Sequence, residues 1–142
     1  MPSSHYNAAG APAQRGQSQA IDPIAKISQI DGHWQPRVVA EMNDYQFKVV
    51  KVIGEFVWHA HGDTDETFIV LEGELNIDVR GGPEGERTIV VPAGQMVVVP
   101  KGTEHKPFAP KEAKLLLIEP RGVRNTGDGD GGDRTVANDQ WI

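Results

Sequence analysis

Apolar residues recur in short runs separated by glycine and proline. From Lys26 onward several of these runs read as strands: 38–42, 46–53, 67–71, 74–80, 88–91, 96–99 and 114–118. The clearest is Glu74-Leu75-Asn76-Ile77-Asp78-Val79-Arg80, where polar and apolar residues alternate without a break. Side chains of an extended segment point to opposite faces in turn, so Leu75, Ile77 and Val79 share a face toward a core and the residues between them meet water. Turn chemistry lies between the runs. Glu72-Gly73 is short enough for a hairpin, residues 81–85 give a longer loop, and Pro92-Ala93-Gly94 and Pro100-Lys101-Gly102 each stop one strand and re-aim the next. Many short strands at near-regular spacing predict an all-β sandwich or barrel.

The two ends of the chain follow other rules. Residues 1–20 offer almost nothing to bury, so ordering them would cost backbone entropy that no core contact offsets, and a disordered leader is expected. The barrel is placed at 26–120. A partly ordered tail, 121–142, is polar and glycine-rich but closes on Gln140-Trp141-Ile142, so Trp141 gives it a means of docking on the barrel. Asp128, Asp130 and Asp133 have a superficial likeness to a calcium loop. Gly132 sits where that loop needs its third oxygen ligand, Asp133 replaces its glycine and Asp139 its closing Glu, so a solvated turn is expected instead.

Composition narrows the classes. A chain of 142 residues suits one domain with one core. The net charge of −6 and a pI near 5.3 disfavour a nucleic-acid partner, which needs a basic face to neutralise phosphates. With no cysteine, neither a disulfide framework nor a thiolate metal site can form. The first 20 residues hold one Arg and no run fit for a signal peptide, and no stretch approaches the ~18 apolar residues of a membrane span, so a soluble, cytoplasmic protein is the default expectation.

The chemistry concentrates at His59-Ala60-His61, followed by Glu66, and at His105 in a second Gly/Pro-framed run. On an extended segment His59 and His61 project to the same face, and the polar turn Gly62-Asp63-Thr64-Asp65 brings the Glu66 carboxylate back on the next strand. The Pro100–Gly102 turn starts a strand whose early residues can add His105 as a third imidazole. Three nitrogens and one oxygen suit one divalent metal ion, Fe, Mn, Ni or Zn, and leave positions open for substrate. His5 and His33 read as surface or hydrogen-bonded residues, and Asp63 and Asp65 as solvated turn residues. If His59 and His61 face inward on an unbroken strand, Glu55 shares their parity and is a candidate general base, with an exposed strand carboxylate the plainer expectation, whereas Phe56 and Trp58 face outward and need cover. Glu104 precedes a ligand on the opposite parity. Lys48, Arg121 and Arg124 are candidate anchors for an anionic substrate, with a surface position the plainer expectation for each.

These residues resemble the two signature motifs of the cupins. The first, a glycine, H-x-H, a Glu and a later glycine, is matched by His59, His61, Glu66 and Gly73; the second, G-x5-P-x-G-x2-H-x3-N, is matched by Gly94, Pro100, Gly102 and His105. Four residues separate Gly54 from His59 where the pattern has five, and Ala109 replaces the closing Asn. The resemblance covers roughly residues 38–119. It implies an antiparallel double-stranded β-helix, a jelly-roll barrel, with His59, His61, Glu66 and His105 on the metal and homodimerisation as in small single-domain members.

Cupins include dioxygenases, sugar isomerases and epimerases, lyases, decarboxylases and metal-free binding modules, so fold alone does not choose a reaction. The leading expectation is a metal-dependent enzyme on a small oxygenated organic molecule, working by dioxygenase-type or isomerase-type chemistry. The alternatives are a non-catalytic metal-stabilised binding or sensor module and a metal-free lyase or isomerase with a His base.

Overall fold

The computed structural model describes residues 18–82, 85–129 and 132–142. Nearly all of the expected leader, His5, Pro83 and Glu84 of the 81–85 loop, and Asp130 lie outside the described residues. A short helix α1 (Pro23–Ile27) precedes strands β1 (Arg37–Met42), β2 (Tyr45–Glu55), β3 (Glu66–Glu72), β4 (Glu74–Arg80), β5 (Arg87–Pro92), β6 (Met96–Val99) and β7 (Glu104–Pro120), and a 3-10 turn spans Gly132–Arg134. Every run read as a strand lies within one.

All pairings among these strands are antiparallel. The order is β1-β2-β7-β3-β6, and β4 joins β5 to the first part of β7. β7 organises the whole. Its end pairs with β3 (Thr67↔Ile118 to Glu72↔Lys114), its start pairs with β4 (Asn76↔Phe108 to Arg80↔Glu104), and β2 runs along both parts. The sheet therefore folds over itself at the middle of β7. That bend explains why only residues 114–118 of this 17-residue strand were legible. Pro107 and Pro110 argue against a strand, yet Pro110 falls where the register slips between Val52↔Ala113 and Gly54↔Ala109, so no ladder bond needs its missing donor.

The hairpin expected at Glu72-Gly73 is not one. β3 and β4 do not pair with each other; Gly73 is the corner where the chain leaves one half of β7 for the other. Its φ is +82°, and a Cβ there would lie 2.8 Å from the Glu112 carbonyl oxygen, so both the turn and the close approach require glycine.

The core lies between the two folded layers, with Val52, Val70, Leu75 and Ile77 wholly buried. Leu75, Ile77 and Val79 all face it, as the alternation required. A second apolar cluster covers the outer face of β2: Val49 packs with Val39, Ile27 and Ile30, and Ile142 joins it. β2 is thus buried on both faces, through Val49 outward and Val50 inward. Helix α1 supplies that cover. Asp22 caps it by accepting from Ala25 N–H at 3.1 Å, with Pro23 in the first turn. The Asp-Pro pair is a helix-start signal that sequence reading passed over. The tail returns beside β1, where Val38 N–H donates to Gln140 O at 2.7 Å and Ile142 N–H to Val38 O at 3.1 Å. The architecture is an all-β, antiparallel jelly-roll barrel. No helix among the described residues is long and apolar enough to cross a membrane.

Candidate metal centre

His59 and His61 follow β2, Glu66 opens β3, and His105 is the second residue of β7. Backbone hydrogen bonds tie the two halves together. His59 and His105 form an antiparallel bridge, Gly102 N–H donates to His61 O at 2.8 Å, and Lys101 N–H donates to Asp65 Oδ1 at 2.9 Å. The Pro100–Gly102 turn is therefore fastened to the H-x-H segment, and Asp65, although exposed, has a structural task.

The four side chains are buried, from 1% exposure for His105 to 7% for His61. One ligand atom from each lies within 4.8 Å of all the others. Ligand atoms ~2.1 Å from one ion stand up to about 4.2 Å apart when opposite each other, so a closure of about half an ångström would complete the set. Two rings are already oriented. His59 Nδ1 is 2.9 Å from Val57 O and His105 Nδ1 is 2.9 Å from Thr103 O, which makes each Nδ1 the donor and leaves Nε2 as the lone-pair atom. Glu66 Oε1 sits 3.2 Å from both His105 Nε2 and His61 Nε2. His61 Nε2 is buried and meets Glu66 Oε1 without forming a well-aligned hydrogen bond. That contact alone satisfies the buried nitrogen poorly, and a cation at the centre of the cluster would satisfy it better. The cluster is able to bind a metal ion.

The electrostatics agree. Burial, helped by the neighbouring His105, lowers His59 to about 4, so its ring is neutral across the physiological range. Burial alone would also lower His61, but the Glu66 carboxylate outweighs it and raises that ring's pKa. Glu66 is held down to about 2: burial pushes it up, and His105 and His61 more than reverse that. One ionised carboxylate thus faces three imidazoles.

The remaining candidates are placed as follows. Glu55 does not reach the cluster; its side chain is 68% exposed and pairs with Lys106 at 3.2 Å. The parity argument fails because β2 ends at Glu55 and 56–58 are not in a strand. The same break turns Phe56 inward, against expectation, where it stacks on Trp34 with ring centroids 4.8 Å apart. Trp58 does face away, covered by the Arg80 guanidinium 3.9 Å from its ring centre. Glu104 lies on the exterior beside Arg80, and His33 pairs with Glu112 at 2.7 Å. Arg121 is committed to Glu41 and Arg124 to the Gly129 carbonyl.

Lys48 is not a surface charge. It is 4% exposed, and its Nζ lies 3.1 Å from Glu119 Oε1. Glu119, which sequence reading missed, lines a cavity of about 40 Å³ together with His59 and Glu66. Trp34, Phe56, Phe68, Leu115 and Leu117 supply its apolar wall. Burial and the Glu66 carboxylate push Glu119 up to about 7 against the pull of Lys48, and its Oε2 has no hydrogen-bond partner among the described residues. The available signal was parity in β2, which puts Lys48 on the face it shares with Gln46, Val50 and Val52; nothing local pointed to Glu119.

Comparisons with known proteins agree with this geometry. The sequence profile of the family described as "Cupin domain" matches residues 48–119, just over half of the chain. An uncharacterised protein, YdbB of Bacillus subtilis (strain 168), is 43% identical over 81 residues, covering 57% of this chain and 68% of that protein. The crystal structure of a cupin-2 domain containing protein from Shewanella frigidimarina NCIMB 400 superposes with a TM-score of 0.67 at 57% identity, over 72% of this chain and 95% of that one. Hydroquinone 1,2-dioxygenase from Sphingomonas sp. TTNP3, solved with 4-nitrophenol, shares the fold at 24% identity and a TM-score of 0.65, over 78% of this chain and 35% of that one.

Proposed function

Since the chain belongs to the cupin domain family, we propose that it is a metal-dependent enzyme acting on a small oxygenated organic molecule by dioxygenase-type or isomerase-type chemistry. The observation that carries this is the buried cluster of His59, His61, Glu66 and His105, with one ligand atom from each within 4.8 Å of the others. His59, His61 and His105 would hold the ion through nitrogen and Glu66 through oxygen. When bound, an ion of this kind supplies Lewis-acid polarisation of a substrate oxygen and, if it is iron, activation of dioxygen.

The protein's own part is distinct. The hydrogen bonds from the Nδ1 atoms of His59 and His105 to backbone carbonyls fix the rings before any substrate arrives. The apolar wall lowers the local dielectric and so strengthens each charge beside it. Glu119, with a pKa near neutrality and a free Oε2, is suited to take a proton from a substrate carbon or hydroxyl and to return it. Lys48 holds Glu119 in place through Oε1 and offers the compensating positive charge.

The test is turnover of a panel of diketones, keto-sugars and hydroxy acids by protein loaded in turn with Fe(II), Mn(II), Ni(II) and Zn(II). Metal-dependent product from any member supports the reading, and activity that survives chelation assigns the reaction to acid–base residues alone. The same panel separates a second reading, a non-catalytic metal-stabilised binding or sensor module, which expects thermal stabilisation by a panel member without product.

A further inference from the structure

Ala60, the residue between His59 and His61, has no strand partner for its own backbone groups. His59 spends its N–H and C=O on His105, and His61 gives its C=O to Gly102. Ala60 is buried, so its N–H and C=O need partners. One residue of the C-terminal tail supplies both: Asp128 Oδ1 accepts from Ala60 N–H at 2.7 Å, and Asp128 N–H donates to Ala60 O at 3.0 Å.

The turn that carries Asp128 is shaped for this contact. A Cβ on Gly127, whose φ is +53°, would collide with the Ala60 carbonyl and lie 3.1 Å from His59 Cδ2. A Cβ on Gly129 would lie 2.8 Å from Trp58 O and 3.0 Å from His59 Cβ. Side chains at either position would lift the tail off the ligand segment. The turn is itself anchored: Gly127 N–H donates to Arg124 O, Gly129 N–H to Thr126 O, and the fully buried Thr126 hydroxyl meets that of Thr135 at 2.8 Å. The Thr126-Gly127-Asp128-Gly129 sequence thus belongs to the centre rather than to a loose tail.

We propose that Asp128 is a positioning residue for the metal centre, fixing the backbone between two ligands so that His59 and His61 present their Nε2 atoms together. This rests on the reading of His59, His61, Glu66 and His105 as a metal site. The carboxylate touches neither ion nor substrate; it acts through Ala60.

The experiment titrates Co(II) into the metal-free full chain, wild type and variants, at a temperature where each is folded by thermal melting. Affinity comes from a competing chelator, and the visible absorption spectrum of bound Co(II) reports ligand geometry. D128A is expected to bind at least about tenfold more weakly and with an altered spectrum, whereas D128N, which keeps an acceptor for Ala60 N–H, stays within about twofold of wild type. N138A serves as control for general loosening, since Asn138 bonds to Gly122 O and not to Ala60. Wild-type affinity and spectrum in D128A overturn the proposal, and so does an equal loss in N138A. Should D128A fail to fold, G127A keeps the carboxylate but displaces the turn; it is expected to show the same loss, and unchanged binding overturns the proposal. No uptake of Co(II) by the wild type would instead overturn the metal site itself, and the inference with it.

Discussion

His59 and His105 exchange both main-chain hydrogen bonds, His59 N–H to His105 O at 3.0 Å and His105 N–H to His59 O at 2.8 Å. In such an antiparallel pair the two side chains leave the backbone on the same face. Their rings accordingly lie 4.2 Å apart, centroid to centroid. Two motifs far apart in sequence are thereby joined by an isolated backbone bridge, so the two segments meet without an ion to gather them. Glu66, directed at His61 and His105 from the start of β3, completes it.

Metal uptake should be coupled to proton release. His59, lowered to about 4, contributes none in the physiological range, whereas the raised pKa of His61 makes its ring hold a proton against the ion to higher pH than an ordinary imidazole does. Affinity should therefore rise as pH rises through and above the ordinary imidazole range. Calorimetric titration in buffers of different ionisation enthalpy measures the proton count, and binding with no proton release would contradict the assignment of His61.

Glu119 sets a second pH dependence. In metal-free protein its folded pKa, about 7, exceeds the ordinary 4.5, so the folded state holds the proton more tightly than the unfolded chain. That contribution is fully present below about pH 4.5 and is lost as pH rises through about 7. E119Q removes it: wild type should lose stability relative to E119Q between pH 5 and pH 8, as measured by denaturant unfolding after chelation. A pH-independent difference would show that Glu119 is not raised. In turnover, E119Q should lower kcat by about 10² or more if the carboxylate moves the proton.

Much of this was legible because the relevant residues obey short-range rules. Alternation in 74–80 assigned the inward face of β4, and the i, i+2 spacing brought His59 and His61 to one face, where both are buried. The errors arose where a strand does not continue. β2 ends at Glu55, so parity placed Glu55 inside and Phe56 outside when the reverse holds. Lys48 and Glu119 meet only because β2 and β7 are neighbours, and no local pattern encodes that pairing. Asp128 reaches Ala60 across 68 positions, a contact that depends on the return of the tail.

The two departures from the signature pattern prove to be neighbours: Gly54 and Ala109 face each other across β2 and β7 at a register slip. Ala109 is wholly buried against the core. Restoring the motif residue with A109N should therefore destabilise the protein by about 1–3 kcal/mol, through overpacking and an amide deprived of water. Equal or greater stability on thermal melting would mean that the slip has room for the longer side chain.

Gly73 offers a test of the corner between the two layers. G73A combines a left-handed φ with a Cβ pressed on the Glu112 carbonyl, so a loss of about 1–3 kcal/mol is expected. A melting temperature equal to wild type would show that the corner relaxes freely, and would argue against a rigid fold-over at β7.

The central claim is that His59, His61, Glu66 and His105 hold one metal ion, and elemental mass spectrometry of untagged protein purified without chelator tests it most directly. The expected result is close to one equivalent of Fe, Mn, Ni or Zn in the wild type and none in the H59A/H61A double variant. Wild type that carries no metal, even after reconstitution with each ion in turn, would mean that the four residues are a hydrogen-bonded polar cluster.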